Sequence, residues 1–321
     1  MTFFADAVAG LTASPKWISP KYFYDARGSH YFDLICKLDE YYPYRTEMAL
    51  LPRVAKELDH HLPSRVVIVE FGAGSLHKVR PLLASSRAIQ GFIPIDISAE
   101  HLTNAGKSLQ KDFPNVEIRP ATGDFTQPLD LPQLNVDSQA SNRALPRLGF
   151  FPGSTIGNFS PANARSFLLN ARHSLGPNSL FLLGVDTQQD VVTLERAYND
   201  TQGITAAFNK NLLVRMNREL NTNFEPTNFT HRAYFNQPLG RIEMHLISDK
   251  MQQIQLGTHT ISLAQGESIH TENSYKYTPT KLQELVESAG WTISHKWQSP
   301  DGAFSEVLLR HTRAAAATVA A

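Results

Sequence analysis

The chain has 321 residues, a length that suits two domains at about 150 residues each. Lys plus Arg number 30 and Asp plus Glu 30, so the net charge is zero and the basic excess of a nucleic-acid protein is absent. Hydrophobic residues make up 42% and charged residues 19%, which excludes wholesale disorder. The single cysteine, Cys36, excludes an intrachain disulfide and a cysteine-based zinc site. It suits a reducing compartment and reads as a small buried apolar residue. Met1 to Gly10 carries Asp6 but neither Lys nor Arg, unlike the start of a signal peptide. No apolar run approaches the roughly 20 residues of a membrane helix. A soluble cytoplasmic protein is expected, with neither nucleic acid nor membrane as partner and a disordered, alanine-rich tail over 314–321.

In chain order, apolar spacing predicts a helix over 50–62, ended by Pro63. Val66-Val67-Ile68-Val69 is a continuous apolar run, the mark of a strand buried on both faces of a parallel sheet. After Glu70-Phe71-Gly72-Ala73-Gly74 a helix is expected over 75–85. A second strand is predicted over 92–97, with Ser98 capping a helix to about Phe113. A short strand over 116–118 leads to Gly123-Asp124-Phe125, and the polar, turn-rich 128–146 reads as a loop. A strand over 148–151 follows, then a helix opened by Ser160-Pro161, then a strand over 180–185. Strand and helix in alternation predict an α/β fold with a parallel sheet.

Beyond Asp186 the pattern changes to a helical stretch over 191–220 and strands over 231–236, 241–248, 258–263 and 269–277. This is an α+β insertion. The α/β pattern resumes with a helix over 279–289 and strands over 292–297 and 304–310. No internal repeat is present.

Gly72 and Gly74, at a strand-to-helix turn, allow close backbone approach to a ligand. The third glycine of a dinucleotide fingerprint is replaced by His77, and an acid two residues before the first glycine suits a cationic ligand better than a phosphate. Asp96, at the next strand end, stands where an acid binds ribose hydroxyls. Asp124 and Phe125 offer an adenine a hydrogen-bond acceptor and a stacking face. The acid-x-Gly-x-Gly pattern resembles motif I of S-adenosylmethionine-dependent methyltransferases. By residue type alone, Tyr24, Tyr41 and Met244 suit core packing, Asn158 a turn, and Glu272-Asn273-Ser274 an exposed strand face. No metal site is expected: His-Glu-x-x-His is absent, His60-His61 reads as solvated, and His270-x-Glu272 lacks the cysteine half of a deaminase signature.

Several segments together resemble the histidine-specific Nα-methyltransferases of ergothioneine biosynthesis. They are Lys21-Tyr22-Phe23-Tyr24-Asp25 with Gly28-Ser29, the run from Glu40 to Glu47, and Gly153-Ser154-Thr155-Ile156-Gly157-Asn158. Arg196-Ala197-Tyr198, Thr205 to Asn209 and Arg241-Ile242-Glu243-Met244 continue the match, from about Leu11 to Arg310. The resemblance implies a Rossmann-like class I methyltransferase core, 48–187 plus 277–313. It also implies a second α+β, substrate-binding domain from the N-terminus and the insertion, 1–47 plus 188–276. Gly72, Gly74, Lys78, Asp96, Asp124 and Phe125 fall where the family binds S-adenosylmethionine, whose product is S-adenosylhomocysteine. Tyr41, Asn158 and Tyr198 fall where it holds the amino acid's carboxylate and orients its amine. Tyr24 and the Gly153 carbonyl fall near the amine. Met244, Glu272 and Ser274 fall in the imidazole pocket, with Met244 open between packing and specificity. Leu76 replaces a hydroxyl residue of the family's loop, which removes one cofactor contact.

The implied reaction is transfer of up to three methyl groups to the α-amine of L-histidine, giving hercynine, by a monomer. Glu272 and Ser274 lie two apart on a predicted strand and share a face, a donor–acceptor pair that suits imidazole over indole or phenyl. The alternatives are the same fold acting on another amino acid such as tryptophan, a nicotinamide-dependent oxidoreductase, and a non-catalytic ligand-binding protein.

Overall fold

In the computed structural model the described residues are 2–97, 99–138 and 145–311. Ser98 and the tail over 314–321 lie outside them, as does part of the loop expected over 128–146. The chain divides into two compact units. One comprises Met1–Arg45 with Gln188–Lys276, the other Thr46–Thr187 with Tyr277–Ala321. The division falls after Arg45, so Glu47 belongs to the second unit.

The second unit is built on one sheet. Among the described residues eight strands take part, and seven of them run in the order Trp291–Gln298, Phe304–His311, Leu180–Asp186, Arg147–Phe151, Val66–Phe71, Ile89–Asp96 and Glu117–Ile118. Ala121–Thr122 also pairs with Ile89–Asp96. Phe304–His311 runs antiparallel to its two neighbours, and the remaining pairings are parallel. This is the doubly wound, Rossmann-like arrangement expected from the sequence. Val66, Val67, Ile68 and Val69 are all 0% exposed, the consequence of helices on both faces of a central strand. Each such side chain contributes about 1.5–3 kcal/mol on burial.

From Val66–Phe71 the chain goes first to Ile89–Asp96 on one side and later to Arg147–Phe151 on the other. That reversal is a topological switch point, where loops at the carboxyl ends of the strands diverge and leave a crevice.

Several helices differ from expectation. The helix expected over 50–62 spans Tyr42–Leu58, of which Thr46 onward belongs to this unit, and a 3-10 turn at Asp59–His61 follows. Pro43 is its second residue, where a missing N–H costs nothing. The helix expected over 75–85 spans only Arg80–Ser85. Leu76 sits at φ 58°, outside helical space, and Pro81 occupies the first turn. The loop therefore continues to Val79. Pro161–Leu175 begins as expected, with Ser160 Oγ accepting the Asn163 N–H at 3.3 Å.

The first unit carries a four-stranded sheet in the order Lys16–Trp17, Ser268–Tyr275, Arg241–Ser248 and Phe229–Asn236. Beside it is a hairpin of Gln252–Leu256 with His259–Leu263, whose first strand the periodicity did not reveal. The helical stretch over 191–220 is two helices, Val191–Tyr198 and Ile204–Leu220. Gly203 at φ 72° breaks it, and the Asp200 carboxylate accepts the Ile204 and Thr205 N–H groups, both at 2.8 Å. Tyr198 thus ends a helix. Cys36, the residue after the helix Ala26–Ile35, is half-buried rather than buried as expected. His60 is exposed, but His61 packs 4.7 Å from the His295 ring and is half-buried. Among the described residues no helix is long and apolar enough to cross a membrane.

Candidate active site

In the sheet unit, the predicted cofactor residues gather at the switch point. Gly72 and Gly74 have φ of 69° and 51°, which L side chains rarely adopt. A Cβ on Gly72 would lie 3.1 Å from Phe125 Cε1, so the glycine lets the Phe125 ring close on the loop. The Gly72 and Ala73 N–H groups donate to the Ile95 carbonyl at 2.9 and 3.0 Å. The Gly74 N–H donates to Asp96 Oδ2 at 3.1 Å, joining two strand ends. Asp124 Oδ1 accepts from the Thr126 N–H at 3.0 Å and the Thr126 hydroxyl at 2.6 Å, which fixes the exposed carboxylate. A glycine cradle, an acid, a second acid and an aromatic face on adjacent strand ends form a donor set that fits an adenosine-bearing cofactor.

Glu70, the acid of the motif, is 1% exposed. Burial pushes its carboxyl well above the carboxylate range, the Lys78 charge opposes this, and Glu47 and Asp96 reinforce it. Its neutral form is therefore favoured, whereas an acid at this position was expected to suit a cationic ligand.

The structure adds Glu47, which residue-type reasoning missed. It is 0% exposed; its Oε1 accepts the Gly153 N–H at 2.6 Å and its Oε2 lies 2.6 Å from Lys78 Nζ. One carboxylate thus ties the loop after Phe71 to the loop after Phe151. Glu306, also 0% exposed, is pushed well above the carboxylate range by burial and by the Glu47 charge. Both effects favour its protonated form. Lys78, expected at the cofactor, is consequently held in place by Glu47. Gly153 follows the strand Arg147–Phe151 at φ 78°, and Asn158 ends the 3-10 turn Thr155–Asn158, half-buried.

In the first unit, Tyr24, Tyr41 and Tyr198 are linked by ring contacts. Tyr24 meets Phe32 edge-on at 5.7 Å, Phe32 meets Tyr41 at 6.3 Å, and Tyr41 meets Tyr198 at 6.1 Å. Signature residues hold this cluster. The Asp25 carboxylate accepts the Gly28 N–H at 2.7 Å and the Asn211 amide at 2.9 Å. A Cβ on Gly28 would stand 1.7 Å from the Phe23 carbonyl oxygen, so only glycine permits this helix start beside Tyr24. Burial pushes the Tyr41 hydroxyl well above its ordinary value, so it stays a neutral donor. His231 Nε2 lies 2.9 Å from the Tyr198 carbonyl and its Nδ1 2.9 Å from Asn209 Nδ2. Burial holds this imidazole neutral, and it pins the end of the Tyr198 helix.

Glu272 and Ser274 share a sheet face as predicted, and both are buried. Met244 is the direct cross-strand partner of Glu272 and is 1% exposed. The Tyr198 hydroxyl donates to Ser274 Oγ at 2.8 Å. Lys276, also absent from the sequence reasoning, is 3% exposed, with Nζ 3.0 Å from Ser274 Oγ and 3.3 Å from the Tyr198 hydroxyl. Burial pushes the Glu272 carboxyl up to about 8, and the Lys276 charge restrains the rise.

A bulge between His270 and Glu272 reverses the alternation, so His270 pairs with His245 on the opposite face from Glu272. Glu243, His245 and His270 cluster there, with one ligand atom from each within 4.8 Å of the others. Glu243 is already bound by Arg241, Tyr234 and Asn236. Burial pushes its carboxyl up, but the bonds from Arg241, Tyr234 and His245 outweigh this and hold it at about 2. The two imidazoles stack at 4.8 Å with planes 18° apart, so their lone pairs do not converge on one point.

Comparison with known proteins places the chain in a family. Residues 3–311 match the family model described as histidine-specific methyltransferase, SAM-dependent. The histidine N-alpha-methyltransferase of Mycolicibacterium smegmatis is 38% identical, over 93% of this chain and 92% of that protein. Its namesake in Mycobacterium tuberculosis is 35% identical over the same shares, 93% and 92%. A 4-dimethylallyltryptophan N-methyltransferase of Claviceps purpurea is 28% identical, over 90% of this chain and 89% of that protein. The chain belongs to the SAM-dependent, histidine-specific methyltransferase family.

Proposed function

We propose that this enzyme methylates the α-amine of L-histidine three times in succession, giving hercynine, as a monomer in the cytoplasm and as a step toward ergothioneine. The observation that carries the reading is the buried, same-face pair Glu272 and Ser274, backed by Tyr198 and Lys276. S-adenosylmethionine supplies an electrophilic methyl group on a sulfonium centre and leaves as S-adenosylhomocysteine. Gly72 and Gly74 admit its backbone-contacting part, Asp96 accepts from the ribose, and Asp124 with Phe125 receives the adenine. Lys78, paired with Glu47, would complete the cofactor-binding set.

Tyr41, Tyr198 and Asn158 receive the substrate carboxylate and fix the direction of the amine, while Tyr24 and the Gly153 carbonyl lie near that amine. The nucleophile must be a neutral amine, and neighbouring positive charge disfavours the ammonium form. Neutral hydroxyl, amide and carbonyl groups orient its lone pair without restoring the charge. Alignment of this kind is the chief contribution a protein makes to an in-line displacement.

Glu272 and Ser274 receive the imidazole, and Met244 contacts the ring. A carboxyl that titrates near 8 beside an imidazole of about 6.5 shares one proton with it across neutral pH. An indole offers no ring acceptor and a phenyl ring neither partner, which leaves buried polar groups poorly paired and costs about 1–3 kcal/mol for each.

The test is incubation with S-adenosylmethionine and histidine, followed by mass spectrometry. Products heavier by one, two and three methyl groups are expected. Tryptophan methylated as fast as histidine would overturn the substrate, and accumulation of the monomethyl product alone would overturn trimethylation.

A further inference from the structure

Lys276 lies just beyond the strand that carries Glu272 and Ser274, and its N–H donates to the Gly240 carbonyl at 2.9 Å, so the extended pairing continues through it. Alternation then sets Lys276 on the face of Glu272 and Ser274. A lysine 3% exposed is costly unless its charge is satisfied. The ammonium can only donate hydrogen bonds. At 3.0 Å from Ser274 Oγ and 3.3 Å from the Tyr198 hydroxyl, it forces both oxygens to act as acceptors toward it. It also stands 5.1 Å from the centroid of the Tyr198 ring, which fixes the phenol from a second direction.

The Tyr198 hydroxyl in turn donates to Ser274 Oγ at 2.8 Å. Ser274 Oγ thus accepts twice, and a hydroxyl has two acceptor sites and one hydrogen. That hydrogen is directed to a third group. We propose that Lys276 is a specificity-determining positioning residue, which makes the Ser274 hydroxyl an obligatory donor toward the substrate ring and so selects a ring bearing an unprotonated acceptor nitrogen. The same positive charge opposes the rise that burial gives the Glu272 carboxyl, so the ring meets a fixed donor on Ser274 and a proton-sharing carboxyl on Glu272. The proposal rests on the histidine reading above and deepens it.

The test compares wild type with Lys276→Met and Lys276→Gln in steady-state turnover of L-histidine and of L-phenylalanine, with S-adenosylmethionine affinity measured by calorimetry. Loss of a charge-assisted hydrogen bond predicts a KM for histidine raised about 10- to 100-fold in Lys276→Met. The expected kcat changes by less than about threefold, and cofactor affinity stays the same. The histidine-over-phenylalanine preference should fall by about the same factor as KM rises. Lys276→Gln, which keeps an N–H donor, should lose less preference, and it serves alone if the Met variant does not fold. Unchanged KM and preference in a folded variant, or a loss confined to kcat, would overturn the proposal while leaving the histidine reading intact. Wild type that methylates another amino acid but not histidine would overturn that reading and this inference with it.

Discussion

Glu272→Gln isolates the charge of the one carboxyl in the predicted imidazole pocket. The Glu272 carboxyl titrates at about 8 in the fold against an ordinary value of 4.5, with burial as the main cause and Lys276 restraining it. A folded-state value above the unfolded one means that the native chain holds a proton the unfolded chain gives up. The associated stability is fully present below 4.5 and is lost as pH rises through 8. The difference, at about 1.36 kcal/mol per unit, amounts to about 5 kcal/mol as an upper bound. Glutamine cannot ionise, so the variant lacks this loss, although it leaves Lys276 without its carboxylate at every pH. The readout is therefore slope, not absolute stability. Urea titrations from about pH 5 to about pH 9 should show wild type losing up to about 4 kcal/mol more than the variant, the rest being lost already below pH 5. The buried Glu70 and Glu306 slope in the same direction in both proteins and cancel in the comparison. The variant should also raise the KM for histidine about 10- to 100-fold with unchanged cofactor affinity. Parallel stability curves would refute the view that Glu272 is held protonated by burial. Equal damage to histidine use and to cofactor binding would refute its place in the imidazole pocket.

Two further predictions concern the sheet unit. Glu47→Ala leaves Lys78 without its 2.6 Å partner and the Gly153 N–H without an acceptor, and should cost about 3–5 kcal/mol by urea titration. Glu47→Gln keeps an acceptor for Gly153 and should cost less; equal losses would mean that the Gly153 contact contributes nothing. Gly72→Ala combines a φ of 69° with a Cβ 3.1 Å from Phe125, so it should cost about 1–2 kcal/mol and weaken S-adenosylmethionine binding about tenfold. Calorimetry showing wild-type affinity in that variant would remove Gly72 and Phe125 from the cofactor site.

The parts of the fold that were legible in the sequence share one property: the signal is local. Val66 to Val69 is an unbroken apolar run because both faces of that strand are covered. Gly72 and Gly74 advertise a turn that other residues resist, and Ser160-Pro161 advertises a helix start. Where the local signal was ambiguous, boundaries moved. The helix expected from residue 50 begins at Tyr42, with Pro43 in its first turn, and Leu76 gave no hint that it adopts a left-handed conformation. The break at Gly203 did have a local signal, Asn199-Asp200-Thr201-Gln202-Gly203, which was passed over between two longer helical patterns.

The candidate site was only half legible, for a different reason. Glu47 and Gly153 are 106 residues apart, and no spacing rule links a helix glutamate to a turn N–H at that distance in sequence. Lys276 reads as an ordinary lysine at a strand end until Tyr198, 78 residues earlier, is placed against it. The bulge that sends His270 and Glu272 to opposite faces adds no distinctive residue. Each missed group is charged or titratable and buried, and burial of such groups lowers stability unless partners compensate. They do not follow hydrophobic periodicity, because that periodicity records what burial favours. In the sheet unit they collect around the two loops of the switch point. In the first unit they collect on the strand face that carries Glu272 and Ser274. Costly buried titratable groups gathered at those two places are a physical reason, independent of any relative, to propose the chemistry there.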